Sequence, residues 1–119
     1  IIDQVKFKIN INDTAYDNYK KLMFYSTKIF KKNLKKILRK KYKSKKQKLS
    51  LGSYYSRKSV NYKKISQINI KIHTLKKHNI IRSLIFPAYQ LPTVNGNKVV
   101  KSIYKNKKFY LINSIGYKA

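Results

Sequence analysis

The stretch KVVKSIYKNKKFYLI, residues 98–112, carries the clearest β-sheet signal in this chain. It predicts two strands joined by a turn at Lys105-Asn106-Lys107. A competing turn lies at Asn95-Gly96, which is the stronger hairpin dipeptide. The sequence from Asn95 to Ile112 therefore predicts a hairpin with two competing turn sites.

The residues before this hairpin predict short elements. Pro87 and Pro92 bracket a loop, because proline cannot donate to a strand ladder and restricts the residue before it. Residues 68–72, INIKI, alternate like a strand. Residues 56–65, SRKSVNYKKI, predict a short helix, and Gly52 marks the start of this part of the chain.

The first 49 residues have a different pattern. Residues 5–11, VKFKINI, alternate as a half-buried strand does. Asn12 or Asp13 can cap a following helix, with Asp17 near the positive end of its dipole. The helix runs to about Tyr42 and carries a broad apolar stripe that is typical of a packing face: Tyr19, Leu22, Met23, Ile29, Phe30, Leu34, Ile37 and Leu38.

These elements predict an α+β protein. Residues 50–119 form a small antiparallel-sheet domain with short helices, and residues 1–49 form a basic strand–helix extension before it. A chain of 119 residues has room for one such modest domain with an extension.

The charge of the chain is extreme. Thirty Lys and Arg residues face three acids, which gives a formal charge of +27. An AT-rich genome explains why lysine outnumbers arginine, but it does not explain the missing acids. Their near absence indicates contact with a polyanion.

Catalytic and metal-binding chemistry is poorly represented. The three Asp residues form no convincing acid/base pair. His73 and His78 have no carboxylate or thiolate residue near them in the sequence that could complete a metal site. Neither a GxGxxG loop nor a phosphate-binding P-loop occurs, and the chain has no cysteine. The sequence therefore predicts no enzyme, no metal and no cofactor.

Lysine interleaved with tyrosine and phenylalanine is the remaining signal, as in YYSRK (54–58), NYKK (61–64) and IYKNKKFY (103–110). Lysines neutralise phosphates, and tyrosines stack on bases or bond the 2′-OH of RNA. Three functions compete: a ribosomal RNA binder, a DNA-binding protein, or a cationic membrane-surface protein resting on helix 14–42. Charge spread over all elements favours folded RNA, because DNA readers concentrate their contacts on one recognition helix.

Short motifs extend this argument. RSLIFPAY (82–89) resembles the Arg-Ser-x-Ile-Phe/Leu-Pro segment of the bacterial and organellar small-subunit ribosomal protein 19 family. LGSYYSRKSVNYKKI (51–65), IYKNKKFYLI (103–112) and SIGYKA (114–119) resemble further segments of that family in the right order. A weaker resemblance links VKFKININDTAYDNYKKL (5–22), QLPT (90–93) and FYLINS (109–114) to small-subunit ribosomal protein 10.

The resemblance implies a structural constituent of the small ribosomal subunit. It would bind the 3′ major domain of the ribosomal RNA in the head, beside ribosomal proteins 13 and 14, with no small-molecule substrate, no transmembrane segment and no homo-oligomer. Composition favours a mitochondrial ribosome in the matrix, with an apicoplast or an AT-rich bacterial cytoplasm as alternatives.

The resemblance, together with the interleaved lysines and tyrosines, predicts which residues meet RNA. In the main domain these are Arg57, Lys58, Lys63, Lys64, Lys76, Lys77, Arg82, Ser83, Lys101, Lys105, Lys107, Lys108, Gly116, Tyr117 and Lys118. The resemblance does not cover the extension, whose basic residues predict extra RNA or protein contacts, with RNA expected at Lys35, Lys36, Arg39, Lys40, Lys43, Lys45 and Lys46.

Overall fold

The computed structural model describes residues 1–114, apart from the side chain of Arg57. Its α-helices are α1 (Ala15–Leu38), α2 (Tyr62–Ile65) and α3 (Leu75–Leu84). Its strands are β1 (Gln67–Ile68), β2 (Thr93–Val94), β3 (Asn97–Lys105) and β4 (Lys108–Asn113), and short 3-10 turns cover Leu49–Leu51 and Arg57–Ser59. Within the described residues, no helix is both long and apolar enough to cross a membrane.

The four strands form one sheet in the order β1-β2-β3-β4. The pairs β2–β3 and β3–β4 are antiparallel, whereas β1 and β2 run parallel, with Gln67 opposite Thr93. The α+β class is confirmed. The sheet is mixed, however, because the chain between β1 and β2 crosses over through α3 instead of turning back directly.

Both predicted turns form. Asn95 and Gly96 connect β2 to β3 with φ values of 46° and 82°. Asn106 and Lys107 connect β3 to β4 with φ values of 51° and 60°, and Lys105 lies opposite Lys108. Positive φ at both central residues matches the right-handed twist of paired strands, which is why asparagine and glycine suit these positions. The two signals therefore belong to two successive turns.

The core lies between α3 and the sheet. Its buried apolar residues are Ile81, Ile85, Val94, Val99 and Phe109. α3 begins after Thr74, whose hydroxyl accepts a hydrogen bond from the Lys77 N–H at 3.2 Å. This helix was not predicted. Its buried face holds Ile81 and Leu84 with Ile85 at its end, so it supplies the helical layer over the sheet.

Three predicted elements are wrong or shortened. Residues 5–11 form no strand, because they lie along α1, where the Phe7 ring stacks on Tyr25 at 5.3 Å. The strand predicted at 68–72 is reduced to Gln67–Ile68, which is as far as its pairing with β2 reaches. The helix predicted at 56–65 divides into the 3-10 turn and α2, with Asn61 capping α2.

The long N-terminal helix is confirmed, but its ends differ from those predicted. Thr14, not Asn12 or Asp13, caps it through a reciprocal capping box with Asp17, whose place near the positive helix end is as predicted. The helix ends at Leu38. Lys40 then adopts a positive φ of 53°, a left-handed conformation in which a right-handed helix cannot continue.

The segment before α1 is bonded to the α3–sheet body. The Asn12 side-chain oxygen accepts from the Tyr104 N–H at 2.7 Å, and Arg82 Nη1 donates to the Asp13 carbonyl at 2.8 Å. His78 is fully buried and bonds to both the segment before α1 and the sheet. Its Nε2 lies 2.8 Å from the Ile11 carbonyl, which can only accept, so Nε2 carries the proton. Nδ1 then accepts from the Ser102 hydroxyl at 2.7 Å.

This arrangement predicts a pH-dependent stability. Burial lowers the pKa of His78; the bond to Ile11 opposes that shift, and the nearby Arg82 charge adds to it. The unfolded state therefore binds the proton more readily, and the free energy of unfolding should fall as pH drops below about 6.5. We expect urea unfolding of the chain to show this loss between pH 7 and pH 5. His78→Gln should remove it and His73→Gln should keep it; an unchanged profile in His78→Gln would contradict the assignment.

Candidate functional site

An open cleft of about 530 Å³ lies on the α2 side of the sheet, lined by Lys58, Tyr62, Tyr89 and Gln90. Its size is within the range of small-molecule sites. The lining combines one cation, two aromatic rings and one amide. We take this cleft as the candidate site.

The first wall carries Lys58 and Tyr62, and two side-chain caps set its shape. The Ser56 hydroxyl accepts from the Lys58 N–H at 3.1 Å and so holds the 3-10 turn. The Asn61 side chain accepts from the Lys64 N–H at 3.1 Å and starts α2. These caps hold Lys58 in the 3-10 turn and Tyr62 at the start of α2, the helical turn that follows it.

The second wall is the turn from Phe86 to Gln90. The Phe86 N–H donates to the Gln90 carbonyl at 3.0 Å, and the Gln90 N–H donates back to the Phe86 carbonyl at 2.8 Å. Pro87 fixes its own φ at the second position of the turn. The Phe86 ring is packed edge-on against Tyr16 and Tyr19 of α1, so the turn has a fixed base.

The sheet brings these two walls together. The first wall continues through α2 into β1, and the Phe86–Gln90 turn leads into β2. Thr93 N–H donates to the Ser66 carbonyl at 2.7 Å beside the parallel pairing of Gln67 with Thr93. The cleft is therefore formed by parallel pairing between segments that are distant in sequence.

Tyr89 is the more accessible of the two tyrosines in this cleft. Its ring touches Phe86 at 5.2 Å between centroids, yet 86% of the residue is exposed. Tyr62 is 48% exposed. Such rings can stack on a flat heterocycle, Lys58 can neutralise a phosphate, and the Gln90 amide can both donate and accept hydrogen bonds. The arrangement suits a nucleotide-like anion.

The acids of the chain are all engaged elsewhere. Hydrogen bonds from the Asn33 amide and then from the Lys32 ammonium lower the pKa of Asp3 to about 2. The bond from Lys21 lowers the pKa of Asp13. Burial raises the pKa of Asp17, but hydrogen bonds from Thr14 and Lys20 outweigh it and leave the pKa lowered. These carboxylates stabilise the N-terminal segment and α1.

Metal binding has no support within the described residues, where no group of three or more His, Cys, Asp or Glu side chains comes together. His78, the buried histidine, has both ring nitrogens bonded to protein atoms.

The residues predicted to contact RNA lie in separate places. Lys105, Lys107 and Lys108 come together at the exposed β3–β4 turn, and Lys101 is exposed on β3. Lys63 and Lys64 are exposed on α2, whereas Lys76 and Lys77 lie in the first turn of α3. The extension set lies at the end of α1 and in the exposed segment after it: Lys35, Lys36, Arg39, Lys40, Lys43, Lys45 and Lys46.

Arg82 and Ser83 make bonds inside the protein. Arg82 Nε donates to the Asn79 side chain and Nη1 to the Asp13 carbonyl, both at 2.8 Å. The Ser83 hydroxyl donates to the Ile80 carbonyl at 2.8 Å. Gly116, Tyr117, Lys118 and the side chain of Arg57 lie outside what the structure describes. Whether any of these residues contacts RNA remains an untested prediction.

Of the predicted site residues whose side chains the structure describes, Lys58 alone lines the cleft. Tyr62, Tyr89 and Gln90 were not among them. The interleaving of lysine and tyrosine in residues 54–64 was a usable signal for Tyr62. For Tyr89 and Gln90 the signal was weaker, namely an aromatic residue in a turn that begins with Pro87.

Comparison with known proteins points to enzymes. No family model matches the chain, and no curated protein matches it. Among solved structures, WlaRD, a sugar 3N-formyltransferase crystallised in the presence of dTDP and 5-N-formyl-THF, matches with a TM-score of 0.78 and 46% identity. The N-formyltransferase from Helicobacter canadensis, in complex with folinic acid and dTDP-3-aminofucose, matches with a TM-score of 0.77 and 43% identity.

Both matches cover 88% of this chain but only 38% of the solved chains. This chain therefore spans well under half the length of the structures that it resembles.

These matches correct the functional predictions made from sequence. The resemblance to ribosomal protein 19 is wrong, because identity above 40% over most of the chain outweighs a few short strings. The ribosomal function, the ribosomal partners and the expectation of no enzyme and no small-molecule substrate are wrong with it. The ribosomal protein 10, DNA-binding and membrane-surface alternatives find no support either.

Proposed function

We propose that this chain forms part of a sugar N-formyltransferase, an enzyme that transfers a formyl group to the amine of a nucleotide-linked amino sugar. One observation carries the proposal: the 46% identity and 0.78 TM-score to WlaRD over 88% of the chain. The second match, to an enzyme holding dTDP-3-aminofucose, supports the same substrate class. The predicted division into residues 1–49 and 50–119 remains a proposal beside it.

Within this function, we assign the cleft to the nucleotide part of the substrate. A pyrimidine base is flat and stacks on tyrosine, for which Tyr89 offers the more exposed face. A diphosphate requires a cation, which Lys58 supplies at the opposite wall. Gln90, which follows Tyr89 in the same turn, can hydrogen-bond a base edge, because its amide both donates and accepts.

The residues that line the cleft include no carboxylate or imidazole that could act as a base. The sugar amine must lose a proton as it gains the formyl group, and this step calls for a base within hydrogen-bond reach. His78 is buried with both nitrogens bonded, and the three Asp residues are held by lysines or by the α1 cap. The cleft therefore contributes binding and orientation.

The charge of the chain fits this assignment. A formal charge of +27 attracts any anion, so it raises the local concentration of a nucleoside diphosphate as well as that of RNA. Because the attraction is largely long-range, added salt should weaken it.

Titration of the chain with dTDP tests the binding role. We expect dTDP to bind, with an affinity that falls as salt is raised. Lys58→Ala should lower the affinity by up to about fivefold, the scale of one exposed ion pair. Lys105→Ala, which removes an exposed lysine at the β3–β4 turn, should change it little. Failure to bind dTDP, or equal losses in the two variants, would contradict the role of the cleft.

A graft tests the enzyme itself. In this graft the chain replaces the region of the Helicobacter canadensis enzyme that it matches. We expect the graft to formylate dTDP-3-aminofucose, with the product identified by mass spectrometry. A folded graft that binds dTDP without forming product would count against the proposed family.

A further inference from the structure

One face of α1 is apolar and open. Tyr19, Met23 and Phe30 are 45%, 48% and 57% exposed, and Leu34 and Ile37 are half-buried. Their spacing of four and seven residues places them on one side of the helix. We call this set the α1 stripe. A continuous apolar face of this kind is unusual on a free surface and marks a contact site.

The other side of α1 is already covered. The Phe7 ring stacks on Tyr25, Asp3 accepts from the Asn33 amide at 2.8 Å, and Lys21 donates to the Lys8 carbonyl at 3.1 Å. The residues before α1 therefore occupy one face, whereas Met23 and Phe30 of the α1 stripe stay about half exposed within residues 1–114. Tyr19, in the second turn of α1, packs against Phe86 of the protein body at 5.3 Å between ring centroids.

The matched structures indicate what covers it. The residues outside the 88% match are fewer than the 24 residues of α1, so the match includes at least part of this helix. In those structures the matched region accounts for 38% of the chain, so elements of this kind belong to a much larger body.

We propose that the α1 stripe packs against the remaining portion of a formyltransferase polypeptide to which a region of this kind is joined. The inference rests on the proposed function. Lys20, Lys31 and Lys35 are exposed on the same helix, so the partner surface should be apolar with an acidic rim. A second copy of this chain is disfavoured, because it would bring another formal charge of +27 to the contact.

Thiol labelling tests this proposal, since the chain has no cysteine of its own. Met23→Cys places a probe in the α1 stripe, and Ile72→Cys places a control at a residue that is 68% exposed outside it. Both should react readily with a maleimide in the isolated chain. In the graft, the thiol at position 23 should react at least about tenfold more slowly and the one at 72 at an unchanged rate, as read by peptide mass spectrometry.

Two labelling results would overturn the proposal. Equal reactivity of position 23 in the isolated chain and in the graft would show that nothing covers the α1 stripe. Protection in the isolated chain that grows with its concentration would assign the surface to a second copy. The dTDP titration reports on the cleft and the labelling reports on the α1 stripe, so failures of the two proposals can be told apart.

A stability measurement provides a second test. The pair Met23→Lys and Phe30→Lys should lower the unfolding midpoint of the graft strongly and that of the isolated chain little, whereas Ile72→Lys should be mild in both. A graft that stays soluble only with the two lysines would show that the α1 stripe is exposed there, and would also overturn the proposal.

Discussion

Replacing Phe109 by alanine should leave most of the isolated chain unfolded at room temperature. Phe109 is 1% exposed, and its ring lies 4.3 Å from that of His73 and 6.2 Å from that of His78. Emptying a buried phenylalanine site costs about 3–5 kcal/mol. Ordinary domains have only about 5–15 kcal/mol of stability, and repulsion within a chain of formal charge +27 reduces what is left.

Tyr110→Ala is the matched control for this loss. Tyr110 is the next residue on β4, points to the other face of the sheet and is 57% exposed. It pairs across the strands with Ile103, so its removal should cost less than about 1 kcal/mol. Urea unfolding followed by circular dichroism separates the two variants. Equal losses would show that the α3–sheet core does not dominate the stability of the chain.

The elements that could be predicted from sequence are those determined by local chemistry. The two turns at Asn95-Gly96 and Asn106-Lys107 require residues that tolerate positive φ, and the sequence provides them at both places. The long helix was predictable from its periodicity. Its start was misplaced because Asn12, Asp13 and Thr14 can all cap a helix, and only the reciprocal bond with Asp17 distinguishes Thr14.

The elements that could not be predicted depend on tertiary contacts. The alternation in residues 5–11 is satisfied by packing on α1, where Phe7 meets Tyr25, instead of by a sheet. α3 is short and rich in polar residues. Its few apolar residues form a buried face because they pack on the sheet beneath them, and the helix sequence alone does not reveal that sheet. Local propensity carries little information about such segments.

The site illustrates the same limit. Lys58 could be proposed from its basic and aromatic surroundings, but Tyr89 and Gln90 reach it only through the parallel pairing of β1 with β2. The string around Arg82 and Ser83 was misleading because both side chains bond within the protein. An excess of lysine predicts an anionic ligand without distinguishing a polynucleotide from a small nucleotide.

Tyr89→Ala should lower the affinity of the chain for dTDP by between about fivefold and about a hundredfold. Loss of one base-stacking ring costs about 1–3 kcal/mol, and each 1.4 kcal/mol is about tenfold in affinity. We expect the Tyr89 ring to provide this stacking energy, because 86% of the residue is exposed on a turn that Phe86 fixes to α1. Tyr89→Phe keeps the ring and should retain most of the affinity.

Inorganic pyrophosphate separates stacking from charge in this measurement. It has no base, so its affinity should be unchanged by Tyr89→Ala, whereas Lys58→Ala should weaken the binding of both pyrophosphate and dTDP. Tyr110→Ala removes an exposed tyrosine from β4 and should affect neither ligand. If Tyr89→Ala weakened pyrophosphate as much as dTDP, the turn would hold the phosphates and the base would lie elsewhere. A selective loss for dTDP would instead place the pyrimidine on Tyr89, with its diphosphate directed across the cleft toward Lys58.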